Sequence, residues 1–489
     1  MNYKNISIFQ IRRQWLLYLC LAFFLIIVMT IFSSTTSPLY PAIYGDDSAF
    51  FRFVGKSICQ GKVPYRYIWD HKGPLIFYIN ALGAIHGTQN EKLSFIFLMQ
   101  IAAIIFSMLM MNRIDRLLIP TGRRQVRFFL LVVCVTALMC SVMEGGNLTE
   151  EWSIPMICCS LYLFTRYAVN ADANPCHPRR YAFLHGVLFA IVAFIRINNA
   201  VSCCSGLLVI GIYLIIRKKW KNLLENILFG IIGIAAVTIP ICLYFYAKGA
   251  LNDMLFGTFL YNLRYVGKGD TYIKYDKISH YLRYLPIIVS YILILIHQIK
   301  KRSFRLLDAF AVTIVTGNFL LLLKNNTFLH YFCIFVPVFL FVLMIYIRFD
   351  RNHLLELIIT SASFIYFFYG VTDVATYYFN IDQNKPFEKA IDLVPEEERK
   401  SFIAYNVTPA IYLNKGFEPC SRFAAFQGDF FSVTPFYVDE FVSDLENENP
   451  KWIAATCDGS QMIPFMENLL KTQYEYKFSD WPICFYRSQ

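Results

Sequence analysis

Eleven apolar runs follow one another along the first three quarters of the chain, most of them close to the ~20 residues that a helix needs to cross a bilayer core. They lie near residues 15–33, 93–111, 128–143, 152–169, 181–199, 200–216, 223–247, 281–299, 306–323, 331–347 and 353–373. Inside hydrocarbon every backbone N–H and C=O must be satisfied within the protein, so runs of this length predict helices. Only 16% of the 489 residues are charged and mean hydropathy is +0.46, whereas a soluble domain carries about 25% charged residues. The composition therefore excludes a soluble enzyme and predicts a polytopic α-helical membrane protein with about eleven transmembrane helices. The first run follows Arg12 and Arg13 as a signal peptide would, but it is too long and ends in a Ser/Thr run with no small-x-small cleavage pattern, so it is read as a retained span.

The net charge of +11 is unevenly placed. From residue 376 onward 17 Asp/Glu face 10 Lys/Arg, a balance of −7, which leaves +18 on residues 1–375. That excess sits in short clusters between apolar runs, as cytoplasmic loops of membrane proteins do, and no nucleic-acid-binding motif accompanies it, so no nucleic-acid partner is expected. The apolar segment 73–87 decides the topology. If it does not cross, Arg12/Arg13, 113–127, 166–180, 217–221, 300–305 and Arg348/Arg351 all fall on one side; if it crosses, the later clusters move outside, against the charge rule. It is therefore read as an interfacial helix. The N-terminus is then cytoplasmic, and residues 34–92, 144–151, 248–280, 324–330 and the tail face outward.

Two domains are expected: a transmembrane catalytic domain over 1–375, including the first external loop 34–92, and an extracytoplasmic α/β domain over 376–489. In the tail, 401–405, 452–456 and the aromatic run 474–478 read as strands and 462–470 as a helix. Nine of the 14 cysteines lie inside apolar runs, where a free thiol behaves as a small hydrophobe. Cys420, Cys457 and Cys484 lie in the tail, where two could form a disulfide after export. No CxxC spacing suggests zinc.

Chemistry is concentrated in the first external loop. Directly after the first span, Asp46 and Asp47 stand side by side in YGDDSAFFR, beside lipid, where an ionised group is costly unless it is used or paired. The bland alternative is a helix cap. The loop closes on YIWDHKGPL, where Lys72 at the interface suits a phosphate and the Gly73-Pro74 turn opens the next helix. The bland alternative is a lysine reaching lipid headgroups.

At these residues the chain resembles the GT-C superfamily of polytopic glycosyltransferases, in particular the branch of protein O-mannosyltransferases and lipid A aminoarabinose transferases. That branch carries an acidic pair, usually Asp-Glu, after the first span and a Lys-Pro-Pro-Leu-like turn at the end of the loop. Here Asp46-Asp47 and Lys72-Gly73-Pro74-Leu75 stand in those places. Glu150 and Glu151, in the turn NLTEE, resemble the family's second acidic site, and Phe194-Ile-Arg196 resembles its basic position. His330-Tyr331 followed by Pro337 resembles its late His-Tyr element.

The resemblance implies transfer of a sugar, with inversion, from a polyprenyl-phosphate-linked donor to a lipid, glycan or protein acceptor on the extracytoplasmic face, among membrane lipids. Asp46 would be the general base with Asp47 beside it, Lys72 and Arg196 would meet the donor phosphate, and Glu150, Glu151 and His330 would serve the acceptor or second acidic site. Arg196 lies between two apolar runs and must be engaged, by phosphate or by Glu150 or Glu151. The resemblance assigns no definite cofactor, and acidic residues from separate loops leave room for a divalent cation. Tyr331 reads as an interface anchor. The expected location is a bacterial inner membrane with the tail in the periplasm. The competing reading is a polytopic transporter or lipid flippase, against which stand the absence of paired repeats and the placement of polar residues at the outer ends of spans.

Overall fold

A computed structural model of the full chain describes residues 8–40, 45–85, 95–119, 124–267, 284–324, 328–347 and 387–489, apart from 415, 432–433, 460–461 and 481. The apolar runs within these residues are helical: α1 (Ile8–Phe32), α4 (Phe95–Leu118), α5 (Arg124–Val142), α6 (Thr149–Ala168), α7 (Arg179–Ile195), α8 (Val201–Ile216), α9 (Trp220–Ala247), α10 (Leu285–Lys301), α11 (Leu306–Lys324) and α12 (Phe335–Tyr346). Among the described residues six helical stretches are long and apolar enough to cross a membrane. The expected eleventh run, 353–373, lies outside the described residues. The two runs predicted at 181–199 and 200–216 are separate helices, divided by the short turn Ile197–Ala200.

Two helices sit in the first loop. α2 (Asp46–Cys59) begins with the acidic pair, and α3 (Pro74–Ala84) begins with proline after the extended Gly73. At 11 residues α3 is about 16 Å long, roughly half of a ~30 Å hydrocarbon core, so it does not reach across. It lies against α2 at Gly55, where a Cβ would stand 2.5 Å from the carbonyl carbon of Asn80.

Packing divides the chain into two compact units. One comprises Met1–Ser33, Leu98–Ile241 and Ile273–Tyr377; the other comprises Ser34–Phe97, Cys242–Tyr272 and Tyr378–Gln489. Where the sequence reading grouped the first loop with the spans, packing groups it with the tail. The reason is visible at Trp69, which lies 4.6 Å from the ring of Tyr437, 5.2 Å from Phe431 and 4.9 Å from Tyr261 in one aromatic core. Burying a ring of that size removes 150–250 Å² from water, at about 25 cal/mol per Å². Its backbone N–H also donates to Arg422 O at 2.8 Å.

The first unit is fastened at one end by a buried ion pair. Asp115 of α4 pairs with Arg127 of α5, and Arg127 also donates to the carbonyls of Met344 and Ile347 at the end of α12. Arg127 thereby serves the last carbonyls of α12, which have no partner within their own helix.

The tail folds as a five-stranded sheet in the order β2-β1-β3-β5-β4. Its strands are β1 (Phe402–Tyr405), β2 (Ala425–Phe426), β3 (Trp452–Thr456), β4 (Tyr474–Asp480) and β5 (Ile483–Ser488), with α13 (Pro435–Glu448) and α14 (Pro464–Gln473) on the aromatic core. β1 is parallel to β2 and β3, and β5 is antiparallel to β3 and β4. The predicted strands at 401–405, 452–456 and 474–478 and the helix at 462–470 are present; β2, β5 and α13 went unread. Cys457 and Cys484 form a disulfide and Cys420 is free. Ala455 pairs with Cys484 in the sheet, which brings the two sulfurs within reach.

Candidate functional site

The candidate residues fall into two clusters, one in each unit. In the second unit, α2 starts at Gly45, whose φ of 84° suits a residue without Cβ, and no side chain caps the helix. The cap reading of Asp46 and Asp47 is thereby corrected: both lie in the first turn, where the helix dipole favours negative charge without a capping bond. Asp47 Oδ1 lies 3.6 Å from Lys72 Nζ. Lys72 is buried at 6% exposure, with the ring of Phe51 5.9 Å from its ammonium, so it does not reach out to lipid headgroups.

The backbone around Lys72 is locked. Its N–H donates to Asp70 Oδ1 at 2.6 Å, and its carbonyl accepts from the Tyr65 hydroxyl at 2.7 Å. Asn262 Nδ2 donates to His71 O at 2.8 Å. Tyr65, fully buried with φ 67°, holds a conformation that costs a non-glycine residue of order 1 kcal/mol or more. Burial raises the Asp70 carboxyl, against the charge and backbone N–H of Lys72, which lower it.

Asp46 keeps an opening to solvent, yet protein crowds it, and this loss of hydration is the largest influence, raising its carboxyl above the ordinary range. A hydrogen bond from the Thr408 hydroxyl works in the opposite direction, and the charge of Asp47 raises it further. The result is a carboxylate more basic than usual, open to a reactant, in sequence beside Asp47, which pairs with the buried Lys72. Such a group can take a proton as a bond forms.

In the first unit the turn from α5 to α6 passes through four consecutive residues with positive φ: Glu144 (41°), Gly145 (86°), Gly146 (79°) and Asn147 (59°). This concave backbone holds an anion as such turns do: Glu151 Oε2 accepts from Asn147 N at 2.6 Å. Gln100 Nε2 donates to both Glu151 oxygens at 3.0 Å, and Trp152 Nε1 donates to Asn147 Oδ1 at 3.0 Å. Glu151 is thus engaged in holding its own turn.

Glu150 faces Arg196. Arg196 Nη1 donates to Glu150 Oε1 at 2.7 Å and Nη2 to the Tyr331 hydroxyl at 2.9 Å, with the guanidinium 4.5 Å from the Tyr331 ring centre. The carboxylate partner left open by the sequence is therefore Glu150. Tyr331, read as a membrane anchor, instead clamps this arginine. Thr149 spends its hydroxyl on Glu150 Oε2 at 2.8 Å, and Asn199 Nδ2 donates to Thr149 O and to Ser153 Oγ. His330 Nδ1 meets Glu144 Oε2 at 2.5 Å. Glu150, Arg196, Asn198, Asn199 and Tyr331 line a small recess together with Leu321, Leu322 and Ile334.

Gln100, Glu144, Asp70 and Thr408 were not assigned from sequence. Gln100 carries only the weak signal of a polar residue inside an apolar run, and Glu144 that of a polar residue just past one; Thr408 carries none. Among the described residues no three His, Cys, Asp or Glu side chains gather as a metal site.

A family model of the competence-induced Ccs4 N-terminal domain matches residues 9–359. The chain belongs to that family. The match takes in both clusters except Thr408. No curated protein matches the chain. Among solved structures the chain is similar to ArnT from Cupriavidus metallidurans bound to undecaprenyl phosphate, at TM-score 0.56 and 11% identity over 96% of this chain and 97% of that one. It is also similar to the same protein in the apo state, at TM-score 0.54 and 12% identity over the same shares. The archaeal oligosaccharyltransferase AglB from Archaeoglobus fulgidus, in complex with an inhibitory peptide and a dolichol-phosphate, aligns at TM-score 0.49 and 11% identity over 99% of this chain and 75% of that one. The chain thus shares the fold of ArnT, in keeping with the resemblance of its sequence motifs.

Proposed function

We propose that the chain is a membrane glycosyltransferase that moves a sugar from a polyprenyl-phosphate carrier to a hydroxyl of a lipid, glycan or protein. The observation that carries the reading is the first-loop cluster: an accessible carboxylate, Asp46, adjoining the Asp47–Lys72 pair, on a fold similar over 96% of the chain to a protein that binds undecaprenyl phosphate. In this reading the acceptor oxygen attacks the anomeric carbon from the face opposite the phosphate, the bond to the phosphate oxygen breaks, and configuration inverts. Asp46 takes the acceptor proton as the new C–O bond forms, worth about 10²- to 10⁴-fold. Lys72 meets the charge that develops on the leaving phosphate. Within the first unit, the Arg196–Glu150 pair and His330 form a separate polar cluster, for which the sequence resemblance suggests phosphate contact by Arg196 and acceptor contact by Glu150 and His330.

The same reading carries about eleven spans, an N-terminus in the cytoplasm, and chemistry on the outer face of a bacterial inner membrane, with the tail in the periplasm. The Cys457–Cys484 disulfide supports the orientation, because such bonds persist in oxidising compartments. The test is to supply purified protein in lipid nanodiscs with a panel of polyprenyl-phosphate sugars and an envelope lipid extract. Release of polyprenyl phosphate with label passing to an acceptor is expected, whereas lipid movement with no sugar–phosphate bond broken would favour a flippase.

A further inference from the structure

Arg422, in the tail ahead of β2, ties three segments of the second unit together, with 14% of its side chain exposed. Its Nη1 donates to Tyr65 O in the first loop at 2.9 Å and to Asp253 Oδ1 of the short helix Leu251–Leu255 at 3.2 Å. Its Nη2 donates to Glu440 Oε2 of α13 at 2.6 Å. The Arg422 carbonyl accepts from Trp69 N at 2.8 Å, so the first loop is held at both Tyr65 and Trp69. The planar guanidinium fork can serve several acceptors in fixed directions, whereas a lysine ammonium is a single point on a flexible stem.

From Tyr65 the contact runs on to Lys72. The Tyr65 carbonyl is the atom that Arg422 holds, and the Tyr65 hydroxyl donates to Lys72 O at 2.7 Å, with Thr258 Oγ1 3.3 Å away. The ring between them is fully buried, its centre 5.9 Å from that of Phe77 and 5.6 Å from that of Phe245. A ring so packed cannot shift one end without the other. Tyr65 also sits at φ 67°, a conformation that persists only where its surroundings fix it, and Arg422 bonds to the carbonyl of that same residue. We propose that Arg422 is a positioning residue for Lys72: acting through Tyr65, this tail side chain sets where the Lys72 ammonium stands, so that the C-terminal domain takes part in donor recognition. The proposal rests on the reading of Lys72 as the group that meets the donor phosphate.

The experiment compares the full-length protein in lipid nanodiscs with Arg422→Lys, which keeps a charge for Asp253 and Glu440 but loses the fork, with Tyr65→Phe, which loses only the hydroxyl, with the double variant and with Lys72→Ala. Arg487→Lys, at a tail arginine paired with Glu398 at 2.7 Å, serves as the control. Binding of polyprenyl phosphate is titrated, and donor KM and kcat are measured with polyprenyl-phosphate sugars. In parallel, hydrogen exchange of the peptide covering 63–75 is followed by mass spectrometry and needs no reaction to be running. Arg422→Lys and Tyr65→Phe are each expected to speed that exchange and to weaken phosphate binding about tenfold or more, as a small misplacement of a binding group does, with donor KM rising accordingly. The double variant should bind no more weakly than the poorer single, because both changes act along one path. Additive losses overturn the proposal. So does a lower yield of folded protein whose remaining fraction binds as wild type does, the result of a merely structural role. Should Arg422→Lys not fold, Glu440→Gln, which loosens the guanidinium without removing it, takes its place under the same criteria. Wild-type phosphate affinity in Lys72→Ala, together with faster exchange of 63–75 in Arg422→Lys, upholds the link from Arg422 to Lys72 and overturns the reading of Lys72 as the phosphate contact instead.

Discussion

Arg196 and Glu150 meet at 2.7 Å with only 11% and 2% of their side chains exposed. Two charges so far from water are tolerable only together, and this ties the integrity of the first unit to the residues proposed to meet the donor.

Removing one partner should therefore be costly. Arg196→Ala is expected to lower stability by about 3–5 kcal/mol, because Glu150 is left buried and unpaired. Arg196→Ala combined with Glu150→Ala should recover much of it. Thermal unfolding in detergent across the four proteins of the cycle decides, and additive losses would show that the pair is not coupled.

Lys72 gives a cleaner test of phosphate recognition. Lys72→Ala is expected to weaken donor binding by more than tenfold, since a hydrogen bond to a charged group contributes about 1.5–3 kcal/mol. Lys62 is a poor control because it pairs with Glu418 at 3.1 Å. Lys471→Ala, on an exposed turn of α14, should leave donor affinity unchanged. Equal affinity in both mutants would remove Lys72 from the phosphate site.

Asp46→Asn separates chemistry from structure. Gly45, not Asp46, occupies the cap position of α2, so the substitution should leave folding and donor binding intact while transfer falls at least ~10²-fold. Asp47→Asn should act mainly on donor binding, through its partner Lys72. Transfer at the wild-type rate in Asp46→Asn would refute the assignment.

The pH profile follows from the same site. Crowding raises Asp46 above the ordinary carboxylate range, and the base works only when ionised. Activity should therefore rise with pH on an acid limb placed above the ordinary carboxylate value. Asp46→Asn should erase that limb from the residual rate, and an unchanged limb would assign it to another group.

Topology and the disulfide are tested together. A reporter fused after Gln489 should be active only outside the cytoplasm and one after Arg124 only within it. Cys484→Ser should destabilise the tail by roughly 3 kcal/mol, the scale for a closed loop of this length. Finding both reporters on one side would overturn the topology.

What the sequence determined by itself is set by local chemistry. Apolar runs of bilayer length announce helices because hydrocarbon offers the backbone no alternative partner. The placement of the basic loops decides from sequence against a crossing by 73–87, and the described helix there, α3, has 11 residues. The acidic pair, the lysine and Arg196 stood out because charge beside lipid demands a use or a partner. Partnership itself was decided only in three dimensions. Nothing local distinguishes Glu150 from Glu151, yet one meets Arg196 and the other fills the left-handed turn that begins at Glu144. Tyr331 looks like any interfacial tyrosine until Arg196 lies across its ring. Thr408 lies far along the chain from Asp46, and Trp69, an ordinary loop aromatic by sequence, joins the core of the tail. Hydrogen bonds and ring contacts are short-ranged, so sequence chemistry can state that a buried charge or ring needs a neighbour, and only the folded chain supplies which one.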